Sequence, residues 1–194
     1  MAVLASLCVL CGSSVGVAAI HREAAVRLGR LMAERDVRLV YGGGRIGLMG
    51  VIADAVLAAG GSVIGVIPRH LEDPEVAHTE VTELILVDGM HERKRRMFEE
   101  ADAFAVLPGG IGTLDEVAEV LSWRLLRLHD KPIVLVDVDR YWAPFTGLID
   151  HFVAAGFARD DARRLFTVVE RVDDVFTAVA RAAPAVASAD PRRL

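Results

Sequence analysis

The chain has 194 residues, of which 53% are apolar and 25% charged, and its formal net charge is −5. That balance excludes intrinsic disorder, which needs low hydrophobicity and high net charge, and it speaks against nucleic-acid binding through overall charge. No apolar run approaches the ~20 residues of a membrane-spanning helix, and the apolar N-terminus lacks the basic flank of a signal peptide, so a cytoplasmic protein is expected.

Strand and helix patterns alternate along the chain. Val3–Cys11 reads as a buried strand and Val17–Glu34 as an amphipathic helix, with Ala25, Leu28 and Leu31 inward and Arg22, Arg27 and Arg30 outward. Val37–Tyr41 is a second strand, Gly47–Ala59 a helix and Ser62–Ile67 a third strand. Arg69–Thr79 reads as a loop, Glu83–Val87 as strand four and Met90–Ala101 as a charged helix. Ala103–Leu107 is strand five, Thr113–His129 a long helix, Pro132–Val138 strand six and Tyr141–Ala155 a helix. Leu165–Val169 and Val172–Ala182 read as a last strand and helix. Continuous apolar strands between helices imply an α/β fold, a single doubly wound, Rossmann-like parallel sheet of six to seven strands with helices on both faces. One domain is expected over residues 1–182, with a flexible tail over 183–194.

In such a sheet ligands bind beyond the carboxyl ends of the strands. There the chain carries Cys11-Gly12-Ser13-Ser14 after strand one and Gly42-Gly43-Gly44 with Gly47 after strand two. Met90-His91-Glu92-Arg93-Lys94 follows strand four, and Pro108-Gly109-Gly110-Ile111-Gly112-Thr113-Leu114-Asp115-Glu116 follows strand five. Candidate ligand contacts are therefore Gly12, Ser13, Gly43, Gly44, Met90, Lys94 and the run from Gly109 to Asp115. Glycines let backbone N–H groups approach an anion, and Thr113 would open a helix whose N-terminus attracts phosphate. Glu116, one turn further on, would stand beside the phosphate and act on the attached sugar. Alternatively, Thr113-x-x-Glu116 is only a capping box.

The basic run Arg93 to Arg96 opens a helix, where cations oppose the macrodipole. An anionic ligand nearby would explain it, and a solvated charged face is the alternative. Gly42–Gly47 has the G-x-G-x-x-G form, but Pro68-Arg69 stands where a dinucleotide site wants an acid, which favours a mononucleotide. Cys8 and Cys11 lie three apart in a strand, so their thiols should diverge and serve as core residues. No histidine spacing suggests a metal, and neither metal nor cofactor is expected. Trp123 and Trp142 read as packing residues.

Taken together, Val40-Tyr41-Gly42-Gly43-Gly44 with Gly47-Leu48-Met49-Gly50, Met90-His91-x-Arg93-Lys94 and Pro108-Gly109-Gly110-x-Gly112-Thr113-x-x-Glu116 resemble the LOG ("lonely guy") family over roughly residues 3–180. Its members are cytokinin riboside 5′-monophosphate phosphoribohydrolases, often labelled lysine decarboxylases. The resemblance implies hydrolysis of the N-glycosidic bond of an adenosine-type 5′-monophosphate, with Arg93 and Glu116 as the catalytic pair. It further implies phosphate binding by Gly110 to Thr113 with help from Lys94, a substrate contact at Glu75, and a homodimer. Leu125 and Arg127 stand where the family usually has glutamine and glycine. Only two basic residues are lysines, Lys94 and Lys131, and neither carries a pattern for a Schiff-base cofactor. The alternative to catalysis is a nucleotide-binding module on the same sheet.

Overall fold

The computed structural model describes residues 4–16, 18–73 and 76–182. Strands β1 (Ser6–Leu10), β2 (Arg38–Tyr41), β3 (Val63–Pro68), β4 (Glu83–Val87), β5 (Ala103–Val106), β6 (Ile133–Val136) and β7 (Thr167–Val169) form one sheet in the order β4-β3-β2-β1-β5-β6-β7. Every neighbouring pair is parallel. The helices are α1 (Ala19–Glu34), α2 (Gly47–Ala58), α3 (Met90–Glu100), α4 (Ile111–Leu125), α5 (Ala143–Ala154) and α6 (Val175–Arg181). A sheet buried on both faces requires uninterrupted apolar strands, and β1, β3, β5 and β6 are buried at every position.

Two apolar layers flank the sheet. On one face Leu7, Val9, Leu39 and Tyr41 pack with Leu28 and Met32 of α1, Ile52 and Val56 of α2, and Val175 of α6. On the other, Cys8, Leu10, Val40 and Phe104 pack with Met97 of α3 and Val117, Val120 and Leu121 of α4. Each fully buried Leu, Ile or Phe contributes roughly 1.5–3 kcal/mol by leaving water. The two thiols diverge as expected: Cys8 joins one layer and Cys11 the other, both unpaired.

The layers place the ligand crevice. Connections from β1 and β2 run over the first face, and those from β4 and β5 over the second. The strand order therefore reverses between adjacent β1 and β5, the point beyond whose carboxyl ends such sheets bind ligands.

Several helix boundaries differ from the sequence reading; α5, for one, opens at Ala143 rather than Tyr141. Helix α4 opens at Ile111 with Gly110 as its N-cap, two residues before Thr113. It stops at Leu125 rather than His129 because Arg127 turns left-handed, with φ of 60°. Arg127 N–H then reaches the Arg124 carbonyl and Leu128 N–H the Trp123 carbonyl, the pairing that closes a helix through a left-handed residue. The last helix is a 3₁₀ turn, Val172–Asp174, followed by α6. Among the described residues no helix is long and apolar enough to cross a membrane. The tail over 183–194 lies outside the described residues.

Candidate active site

Arg93, in the first turn of α3, is buried at 9% exposure although it carries a charge. An arginine survives burial only if its donors are matched, and all three edges of this guanidinium are. Nε donates to the Val66 carbonyl at 3.1 Å and Nη2 to the Gly42 carbonyl at 3.1 Å. Nη1 donates to Glu116 Oε1 at 3.1 Å. Arg93 thus binds β3, the turn after β2, and α4 together at the carboxyl edge of the sheet.

Glu116 lies in the second turn of α4 with its side chain 12% exposed. Burial pushes its carboxyl above the ordinary glutamate value, an effect opposed mainly by the Arg93 charge. Lys94 points to the other flank of α4, where Nζ pairs with Asp115 at 3.0 Å and Glu119 at 3.2 Å. Burial works against the Lys94 charge, but these two hydrogen bonds outweigh it and hold its pKa up.

The basic run is paired within the chain. Arg95 pairs with Glu92 and Glu99, Arg96 with Glu99 and Glu100, and Lys94 and Arg93 pair with α4. Each cation of the run has a carboxylate of the chain beside it. Pairing across to α4 spans more than twenty residues, beyond what helical spacing reveals.

The turn after β5 is built differently. Thr113 is buried against Gly109, where any Cβ would collide with the Thr113 hydroxyl. It is the third residue of α4 and not its cap, so the capping-box alternative does not describe it. Gly110 caps the helix without a side-chain acceptor, and no acidic residue occupies the first turn. The first N–H groups of a helix lack partners within it. Here they open toward an exposed surface: Gly110 and Gly112 are exposed, and a Cβ on either would meet nothing within 4 Å.

Gly12 belongs to the same crevice. Its N–H donates to the Pro108 carbonyl at 3.0 Å, tying the β1 and β5 loops, and exposed Ser13 follows it. Gly43 and Gly44 reach the same edge but are buried, the first against Ile67 and the second against Met49. Met90 at the start of α3 and Ile111 and Leu114 in the first turn of α4 are exposed apolar residues. Glu75 lies outside the described residues.

One residue escaped the sequence reading. Tyr141, after β6, donates its hydroxyl to the Gly109 carbonyl at 2.6 Å. An aromatic just past a strand's carboxyl end was the available signal.

A family model described as "Possible lysine decarboxylase" matches residues 49–179. Over 159 residues the chain is 50% identical to the cytokinin riboside 5′-monophosphate phosphoribohydrolase LOG of Oryza sativa subsp. japonica, covering 82% of this chain and 66% of that protein. The chain belongs to the LOG family. The family member LOG5 of Arabidopsis thaliana, also a cytokinin riboside 5′-monophosphate phosphoribohydrolase, is 46% identical over 160 residues, 82% of this chain and 70% of its own. Among solved structures, the molybdenum cofactor carrier protein of Chlamydomonas reinhardtii superposes with a TM-score of 0.68 at 22% identity, covering 92% of this chain and 97% of that one. The molybdenum cofactor binding protein of Rippkaea orientalis gives 0.69 at 19% identity, covering 91% and 96%. Those two likenesses are of fold. Within the LOG family, the lysines bear on the decarboxylase label. Lys94 is held by two carboxylates, and Lys131 donates Nζ to the Phe98 carbonyl at 2.6 Å at the opposite edge of the sheet.

Proposed function

We propose that this protein hydrolyses the N-glycosidic bond of cytokinin riboside 5′-monophosphates, or of AMP, to a free adenine-type base and ribose 5-phosphate. The observation that carries the reading is the buried Arg93–Glu116 pair beside an uncapped, glycine-opened helix start in the β1/β5 crevice. The sequence similarity to named phosphoribohydrolases supports the same chemistry.

In the reaction the bond between ribose C1′ and the base nitrogen breaks, the base leaves with the bonding pair, a water oxygen adds to C1′, and the proton that the water loses ends on the base. Glycosidic cleavage passes through an oxocarbenium-like transition state. The Glu116 carboxylate, paired with Arg93, stabilises that cation and orients the water. Arg93 keeps the carboxylate in place through its two backbone anchors. The amides of Gly110 to Thr113, with Ser13 opposite, receive the 5′-phosphate, while Gly12, its N–H taken by the Pro108 carbonyl, holds the two loops together. Lys94 adds positive charge from behind α4, and its pairing with Asp115 and Glu119 limits it to that indirect part. Met90, Ile111 and Leu114 offer apolar contact to the base and its N6 substituent. A Schiff-base decarboxylation would need an uncommitted lysine, and both lysines are engaged.

A homodimer belongs to this reading. Leu125, Leu126 and Leu128 are 47%, 50% and 69% exposed at the end of α4, and α5 buries none of its residues. Apolar surface of this kind suits a partner.

The test is incubation of the purified protein with AMP, with isopentenyladenosine 5′-monophosphate and with the unphosphorylated riboside, following free base by chromatography. Base release from a monophosphate but not from the riboside is expected. Binding of the monophosphates without release would make the protein a nucleotide carrier instead.

A further inference from the structure

The segment between β6 and α5 carries unusual backbone for its residues. Asp139 and Arg140 are consecutive left-handed residues, with φ of 53° and 58°. Non-glycine residues seldom adopt such angles, and two in succession mark a conformation that the surroundings enforce. The enforcement is visible. Asp137 N–H bonds the Val169 carbonyl at 2.7 Å, Asp137 Oδ1 accepts Trp142 N–H at 2.6 Å, and the Trp142 ring is buried in the second apolar layer.

The result of this turn is the placement of Tyr141. Tyr141 is 39% exposed, with the edge-on His21 ring 5.5 Å and the Trp142 ring 5.2 Å from its own. Its hydroxyl reaches the Gly109 carbonyl at 2.6 Å. That oxygen belongs to the peptide unit whose other side is the Gly110 N–H. A trans peptide is planar, so its C=O and N–H point in opposite directions. Holding the oxygen therefore aims the N–H. The unit lies between two glycines, where side chains do not restrict rotation of the peptide plane.

We propose that Tyr141 is a positioning residue for the reaction: it pins the Gly109–Gly110 peptide so that the Gly110 N–H faces the 5′-phosphate of the substrate. The inference rests on the reading of Gly110 to Thr113 as the phosphate cradle. It gives the strained β6–α5 turn a purpose that packing alone does not supply, since the exposed hydroxyl contributes nothing to either apolar layer.

The test compares wild type with Tyr141→Phe, which keeps the ring and its contacts with His21 and Trp142 and removes only the donor. Two probes are titrated calorimetrically, ribose 5-phosphate and adenine. Tyr141→Phe weakens ribose 5-phosphate about five- to tenfold, the worth of about one hydrogen bond, and leaves adenine affinity and the thermal midpoint unchanged. With isopentenyladenosine 5′-monophosphate its KM rises by about the same factor while kcat holds, the signature of lost uniform binding. Unchanged ribose 5-phosphate affinity in Tyr141→Phe overturns the proposal and leaves the phosphate cradle standing. Equal weakening of both probes with a lower midpoint also overturns it, as the mark of a merely structural contact. If wild type releases base but does not bind ribose 5-phosphate, the cradle itself is misassigned and the Tyr141 role falls with it.

Discussion

Two glycine-rich turns meet at the carboxyl edge of this sheet, and they use glycine for opposite reasons. In the turn after β2, Gly42, Gly43 and Gly44 are buried, and the space each leaves is taken by Arg93, Ile67 or Met49. In the turn after β5, Gly110 and Gly112 are exposed and the space beside them is open. The first turn makes room for the protein's own Arg93 guanidinium, and the second leaves the space that the proposed phosphate site requires. A glycine motif in a sequence does not distinguish the two uses, because the decisive neighbour comes from a distant element.

The largest effects fall on the pair that joins the two turns. Glu116→Gln keeps the shape of the side chain and an acceptor for Arg93, so the fold should survive while base release falls ~10²–10⁴-fold, the range for a positioned carboxyl group. Gly42→Ala should be as damaging and less stable as well, since the new Cβ overlaps the Arg93 guanidinium. Together, activity assays and thermal melts of the two variants separate chemistry from scaffold.

Gly112→Ala sharpens the contrast. A Cβ there meets nothing in the protein, and Ala is better than Gly inside a helix by about 1 kcal/mol. The variant should melt at a higher temperature, yet bind ribose 5-phosphate about tenfold more weakly, because the methyl enters the cradle. Unchanged binding would mean that the open space is not where the ligand sits.

The pH dependence follows from Glu116. Its carboxyl titrates above the ordinary glutamate value, because burial outweighs the Arg93 charge. If the carboxylate is the active form, kcat/KM should fall on acidification with a midpoint above that ordinary value. Stability runs the other way. The folded state keeps the proton over a window in which the unfolded chain has released it, so the contribution of Glu116 to stability declines as pH rises through that window. An acid limb no higher than an ordinary glutamate would detach the activity from this residue.

The smallest expected effect lies away from both turns. Arg127 closes α4 in a left-handed conformation with φ of 60°, where glycine carries no steric penalty. Arg127→Gly should stabilise the protein by about 1 kcal/mol in denaturant unfolding, with base release unchanged.

Much of this was legible in the chain. Apolar runs bounded by Gly and Pro give all seven strands, since strand burial writes itself into contiguous residues. Glu116 and the β5 turn were legible because helix starts and glycine turns are local. What the sequence hid was pairing at a distance. The pairing of Lys94 with Asp115 and Glu119 on α4 is one case. The start of α4 at Ile111 was hidden because Gly110 caps by backbone geometry and carries no side-chain signal. Tyr141 was hidden because only the fold brings β6 beside the β5 turn.

The most direct test of the account is a side-by-side assay of wild type and Glu116→Gln on isopentenyladenosine 5′-monophosphate, with substrate binding measured on the same preparations. The account predicts that both bind the nucleotide and that only wild type releases the base with ribose 5-phosphate. Equal base release by the two proteins, or binding without release by wild type, would contradict it.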